Sequence, residues 1–189
     1  LDFLEKLQEN NNREWFAENK KKFDAEQKKI KTFFNEIGTS LGKIDSIERI
    51  QIFRIYRDVR FSKNKLPYKN HFSVGFSRTK PMLRGGYYLH IEPNGKSFLG
   101  GGMYNPSPDQ IAKYRQEIDY NAESLRKIIG YPLFVKTYGE AQGESLKNTP
   151  KGFDAQFDPN QALFRGNNVE FHVQSLSGQA CRSRNTRSK

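Results

Sequence analysis

Phe16, Phe23, Ile30 and Ile37 recur every seven residues, with Phe33 and Phe34 set between them. Seven residues are close to two helical turns, so these side chains form one stripe, and the spacing predicts a long amphipathic helix over about 13 to 37. Asn11, followed three residues later by Glu14, resembles a capping box at its start. Ahead of it Leu1, Phe3, Leu4 and Leu7 also sit at helical spacing, until the run Asn10-Asn11-Asn12 breaks the pattern. The lysines on this segment (Lys20, Lys21, Lys22, Lys28, Lys29, Lys31) could be taken for a nucleic-acid patch. Glu18 to Lys22 and Asp24 to Lys28 are ordinary i,i+4 pairs, however, so a solvated face is expected.

Gly38 and Gly42 loosen the connection that follows, and from Ile50 the period changes to two. Strands are expected at about 49 to 61, 71 to 77, 86 to 92 (GYYLHIE) and 96 to 101 (KSFLGG). Glu92-Pro93-Asn94-Gly95 reads as a tight turn between the last two. Short links between consecutive strands imply an antiparallel sheet. Ser107-Pro108-Asp109-Gln110 carries the signals of a helix start, and Ile111, Tyr114 and Ile118 form that helix's stripe. Asn121 caps a second helix with Leu125, Ile128 and Ile129, stopped by Gly130, and YPLFVKTYG at 131 to 139 reads as a further strand. The expected class is a single α+β domain over 1 to 163, its antiparallel sheet covered by the N-terminal helix and the 108 to 130 helical pair.

A chain of 189 residues can bury roughly 70% of the surface its unfolded form exposes, without metal or disulfide staples. Hydrophobic residues are only 35%, but 15 Phe and 9 Tyr predict an aromatic-rich core. No stretch approaches 18 uninterrupted apolar residues, so no membrane insertion is expected, and a cytoplasmic location is. A single cysteine, Cys181, excludes an intrachain disulfide and a multi-thiolate zinc site. The net charge of +11 favours anionic partners. Residues 164 to 189 have little apolar content and a basic end, and are expected to be a disordered or non-native tail.

The positive charge concentrates in FRIYRDVRFSKNKLPYK, residues 53 to 69, where Arg54, Arg57, Arg60, Lys63, Lys65 and Lys69 face one acid, Asp58. On a continuous strand Phe53, Ile55, Val59 and Phe61 would share a face with Arg57, leaving Arg54, Tyr56, Asp58 and Arg60 on the other. A guanidinium among apolar neighbours needs a carboxylate or an anionic ligand, or the strand must break there. Asp58 is placed to orient an arginine such as Arg60. Arginine forks, an ammonium and a phenol are the group types that bind phosphate. The alternative is a surface ladder of Arg54, Asp58 and Arg60 with solvated lysines.

Arg54-x-x-Arg57-Asp58-x-Arg60-Phe61, followed by Asn64-Lys65-x-x-Tyr68, resembles the defining motif of the DUF2461 family of bacterial and fungal proteins. NNNREWFAENK at 10 to 20, GGYYLHIEP at 85 to 93, FLGGGMYNP at 98 to 106 and PKGFD at 150 to 154 resemble it as well, so the likeness covers about residues 1 to 160. It implies that Arg54, Arg57, Asp58, Arg60, Lys65 and Tyr68 act as a unit, and it supplies no substrate.

The expected function is therefore the binding of a small phosphate-bearing anion by that unit, with no reaction assigned. A nucleic-acid-binding module using the basic surface and a purely structural Arg-Asp network are the alternatives. Tyr88, His90 and Glu92 lie on one strand face and form a secondary candidate group. A metal site would need a third ligand, with His71, His172 or distant acids to choose from, and none is expected. Gly100-Gly101-Gly102 lacks the lysine and hydroxyl of a phosphate loop and the spacing of a dinucleotide fingerprint, so no cofactor is expected either.

Overall fold

The computed structural model describes residues 1–80, 85–103, 106–139 and, as backbone, 169–174. The described chain divides into two compact units, one holding Leu1–Leu99 and the other running from Gly100 to Val173. The first unit carries helices α1 (Asp2–Glu9), α2 (Arg13–Glu18) and α3 (Lys20–Leu41), then strands β1 (Ile47–Ile52), β2 (Phe72–Arg78) and β3 (Gly86–Ile91). Strand β4 (Phe98–Met103) begins in it. β1 and β2 pair antiparallel, as do β2 and β3, with Val74 opposite Ile52 on one side and Leu89 on the other. An antiparallel sheet combined with helices gives the α+β class expected from the sequence.

The long helix expected over 13 to 37 is two helices. Asn19 ends α2 and opens α3, with φ −98° and ψ 9°, and its side-chain amide donates to the Trp15 carbonyl at 2.9 Å. A short polar side chain that bonds its own backbone competes with the helix ladder, which accounts for a break at this residue. The start is capped by Asn12, whose side chain accepts from the Trp15 N–H at 2.8 Å, so the capping residue is Asn12 and not Asn11. α3 runs on to Leu41, with Gly38 inside it and Gly42 as the cap. Its ion pairs are Lys20 with Asp24 and Lys29 with Glu26, and Lys22 donates to Asn19 in place of pairing with Glu18.

The core of this unit lies between these helices and one sheet face. Leu4, Leu7, Phe16, Phe23 and Phe34 pack against Ile55, Tyr68, Phe72, Val74, Phe76 and Leu89. Six of these eleven are aromatic, as the composition led one to expect. Asp45, between α3 and β1, clamps the sheet's end: it accepts from Arg78 Nε at 2.7 Å and from the Tyr87 hydroxyl at 2.6 Å. Those two bonds, the Arg78 guanidinium foremost, hold the Asp45 carboxyl at about 2, below its ordinary 3.8. A depressed carboxylate pKa contributes stability above the unfolded value and loses it as pH falls through the folded one. Wild type is expected to lose stability between about pH 4 and about pH 2, and Asp45→Asn to lose less over that window while starting lower at neutral pH. Urea midpoints at the two ends of the window and at neutrality check this; parallel curves for the two proteins would refute it.

In the second unit α4 (Pro108–Tyr120) begins as expected, with Ser107 and Gln110 forming a reciprocal capping box. α5 (Glu123–Ile129) follows, and Asn121 accepts from the Glu123 N–H at 2.9 Å. Ile118 and Ala122 are buried there with Tyr114 and Leu125 against them, and burial pushes the Tyr114 hydroxyl up to about 12. The strand expected at 131 to 139 is helix α6 (Pro132–Tyr138). Pro132 occupies its first turn, Phe134 and Tyr138 meet one turn apart at 4.8 Å, and Gly139 stops it at φ 64°. β5 (Val169–Gln174) is the described part of the expected tail, and the rest of that tail, like PKGFD, lies outside the described residues. No described helix is long and apolar enough to cross a membrane.

Candidate functional site

The strand expected over 49 to 61 ends at Ile52, and after Phe53 donates to the Ser73 carbonyl at 3.0 Å the chain leaves the sheet. It then folds back on itself. Tyr56 bridges Tyr68, Arg57 N–H donates to the Pro67 carbonyl at 2.9 Å, and Lys69 N–H donates to the Ile55 carbonyl at 2.8 Å. Between these, the Asp58 carboxylate accepts from Arg60 N–H at 3.2 Å and the Asn64 side chain from Leu66 N–H at 3.0 Å. Such local side-chain bonds offer the backbone a turn in place of a ladder, and Pro67 has no N–H to give one. The expected apolar face therefore does not form: Ile55 is 2% exposed but Phe61 is 96% exposed, and Arg57 is half-buried in the folded-back segment and not in a strand face.

The six motif residues separate into three kinds. Asp58 and Arg60 hold each other in a two-pronged pair, Nε to Oδ1 at 3.0 Å and Nη2 to Oδ2 at 2.6 Å, as the sequence led one to expect. The Arg60 guanidinium in turn keeps the Asp58 carboxyl below its ordinary value. Lys65 donates to the Val59 carbonyl at 2.9 Å, and Tyr68 is buried, its ring stacked on Phe16 at 4.0 Å and 13°. Asn11 grips the Tyr68 backbone from both sides, donating to its carbonyl at 3.0 Å and accepting from its N–H at 3.1 Å. These four shape the segment. Arg54 and Arg57 form no ion pair among the described residues.

Residues that the motif leaves out complete the cation group. Lys69 sits 5.6 Å above the Phe53 ring, and burial, followed by the fields of Arg54 and Arg57, pushes its ammonium below its ordinary value. One residue beyond Asn70, His71 begins a polar face of the sheet. The pairing of β2 with β3 sets Ser73 opposite His90 and Gly75 opposite Tyr88, and His71 and Glu92 follow just beyond the Phe72–Ile91 rung. His71, Ser73 and Gly75 thus share a face with Tyr88, His90 and Glu92, while Phe72, Val74 and Phe76 point into the core.

On this face His90 Nε2 lies 2.7 Å from Glu92 Oε2, and its Nδ1 lies 3.3 Å from the Tyr88 hydroxyl. Asn70 donates to Glu92 Oε1 at 2.9 Å. The His71 and His90 rings are 4.0 Å apart, and Phe98 stacks on His90 at 4.7 Å. His90 and Glu92 side chains are mostly covered. Burial, then the neighbouring His90 and Lys69, lower His71 to about 4 against the opposing pull of Glu92, so its imidazole is neutral at neutral pH. The arrangement sets three cations, Arg54, Arg57 and Lys69, beside the neutral His71 imidazole, group types that suit an anion.

Sequence reasoning found Tyr88, His90 and Glu92 from their alternation. It named His71 only as one of several possible third ligands, counted Lys69 in the basic stretch without placing it in the binding unit, and passed over Asn70, although His71 alternates with Ser73 and Gly75 in the same manner. It also read Asn11 as a helix cap when the residue serves the distant segment.

The family model for conserved hypothetical proteins (DUF2461) matches residues 1–184, further along the chain than the quoted motifs extend. No curated protein and no solved structure matches the chain. With nearly all of its residues matched, the chain belongs to the DUF2461 family.

Proposed function

We propose that the protein binds a small phosphate-bearing ligand at the rim formed by Arg54, Arg57 and Lys69, beside His71. The observation that carries this reading is the grouping of three cations on the folded-back segment, Lys69 lying 5.6 Å above the Phe53 ring with its ammonium lowered by burial first and then by Arg54 and Arg57, and with no ion pair to any of them among the described residues. Like charges held together in a partly covered place are relieved by an anion, and two guanidinium forks with one ammonium suit the oxygens of a phosphoryl group. Relative to the six-residue motif, the reading shifts the ligand contacts: Arg54 and Arg57 stay, Lys69 joins them, and Asp58, Arg60, Lys65 and Tyr68 support the segment.

Pyrophosphate is the probe, titrated calorimetrically and by thermal shift. Arg57→Ala and Lys69→Ala are each expected to weaken binding at least about tenfold, the lower end of what a charge-assisted bond contributes. Lys29→Ala, whose exposed ammonium pairs with Glu26 on α3, is expected to bind within about twofold of wild type. No pyrophosphate-dependent shift in wild type would sink the reading. Tight binding of a short single-stranded oligonucleotide, with log K falling against log salt at a slope of about 4 as six phosphate contacts require, would replace it with nucleic-acid binding.

A further inference from the structure

We propose that His71, His90 and Glu92 form a binding site for one divalent transition-metal ion of the zinc class. Each of the three residues offers one ligand atom, and these atoms all lie within 4.8 Å of one another. A metal with bonds of about 2.0–2.2 Å to imidazole nitrogen and carboxylate oxygen needs its ligand atoms roughly 3–3.6 Å apart, so small side-chain rotations complete the set. His90 Nε2 and Glu92 Oε2 lie 2.7 Å apart; the ion would displace the hydrogen between them to solvent, leaving a neutral imidazole with its one hydrogen on Nδ1, toward the Tyr88 hydroxyl. The sequence alone left the third ligand open; His71, just beyond the Phe72–Ile91 rung of β2 and β3, supplies it.

The surroundings are those of a held ligand set. Asn70 engages Glu92 Oε1 at 2.9 Å, which leaves Oε2 turned towards the imidazoles. Ser97 Oγ accepts from the Glu92 N–H at 3.0 Å and donates to its carbonyl at 2.9 Å, fixing the backbone beneath the carboxylate. The Tyr88 hydroxyl, 3.3 Å from His90 Nδ1, and the Phe98 ring stacked at 17° fix the imidazole's plane and leave Nε2 as the metal-binding nitrogen. Two imidazoles and a carboxylate with no thiolate suit zinc, cobalt or ferrous iron over magnesium or calcium, and three protein ligands leave a coordination position open.

The assignment does not depend on the anion reading and is tested with metal alone. The full chain, freed of metal by chelator, is titrated with Co2+ and followed by visible absorption, and with Zn2+ by calorimetry. One equivalent is expected to bind, with cobalt bands of the intensity that low-coordinate sites show. His71→Ala, His90→Ala and Glu92→Gln are each expected to weaken binding about 100-fold or more, and Lys96→Ala, whose ammonium is 3.9 Å from Glu92, to leave it within a few-fold. His71→Ala discriminates, because it leaves the His90–Glu92 hydrogen bond standing; its fold is checked by circular dichroism, and Asn70→Ala is a milder second probe expected to cost about 10-fold. Absence of saturable binding overturns the proposal, as does one-equivalent binding that survives both His71→Ala and Glu92→Gln.

Discussion

Phe34→Ala is expected to lower the unfolding free energy by about 3–5 kcal/mol, the range for truncating a fully enclosed phenylalanine. Phe34 is 0% exposed and belongs to the cluster in which α1, α2 and α3 meet β2. Removing its ring takes away apolar burial and leaves a space that the other side chains of the cluster cannot simply move to fill, since each is itself held in the packed core. Phe33, its neighbour in sequence, is 45% exposed on the other side of the helix. Phe33→Ala is therefore expected to cost about 1 kcal/mol or less. Urea unfolding of the two variants decides the matter: equal losses would mean that the register of α3 on the sheet differs from the one described.

Gly86→Ala is expected to cost about 2–4 kcal/mol, more than its single added carbon would suggest. A Cβ at this position would come 2.3 Å from the Phe76 carbonyl oxygen and 3.3 Å from its carbon, so the obstacle is backbone on the facing strand. Gly86 pairs with Ser77 at the first rung of β2 and β3, and pushing the strands apart there disturbs the register that brings His71 and Glu92 together. Gly38 gives the contrast. Its Cβ would meet the tip of Ile50 at 2.2 Å, a flexible methyl that can rotate away, and alanine is the better residue inside a helix. Gly86→Ala should be the more damaging of the two by denaturation midpoint. A Gly38→Ala loss equal to or greater than it would contradict the described strand pairing.

The parts of the fold legible in the sequence are those whose signal lies within one element. The stripe through Phe16, Phe23, Ile30 and Ile37, with Phe34 between its turns, marked the helical layer, Ser107 with Gln110 marked α4, and Asn94-Gly95 marked the turn after β3, where φ is 60° and 71°. Elements whose signal is ambiguous were misread. Val135 and Thr137 favour a strand on propensity, but Pro132 in the first turn and the Phe134–Tyr138 contact make 132 to 138 a helix. The alternation in Phe53, Ile55, Val59 and Phe61 is that of a strand, yet Asp58 and Asn64 turn the chain through bonds to their own neighbourhood.

Of the candidate site, the sequence by itself determined the inventory: a basic segment, an acid placed to pair with Arg60, and a strand presenting Tyr88, His90 and Glu92 to one side. Those follow from charge and from the period of two, which act over a few residues. Tertiary structure alone decided which members meet. Asn11 reaches Tyr68 across 57 positions of sequence, Tyr68 is buried with its ring stacked on Phe16, and Lys69 lies within the fields of Arg54 and Arg57. Likewise His71 reaches Glu92 only through the register of β2 on β3, where a slip of one residue would turn every side chain of one strand to the opposite face. That register is set by core burial of Phe72, Val74, Phe76 and Leu89 against the helices, a condition spread over the whole first unit and written in no single stretch of it.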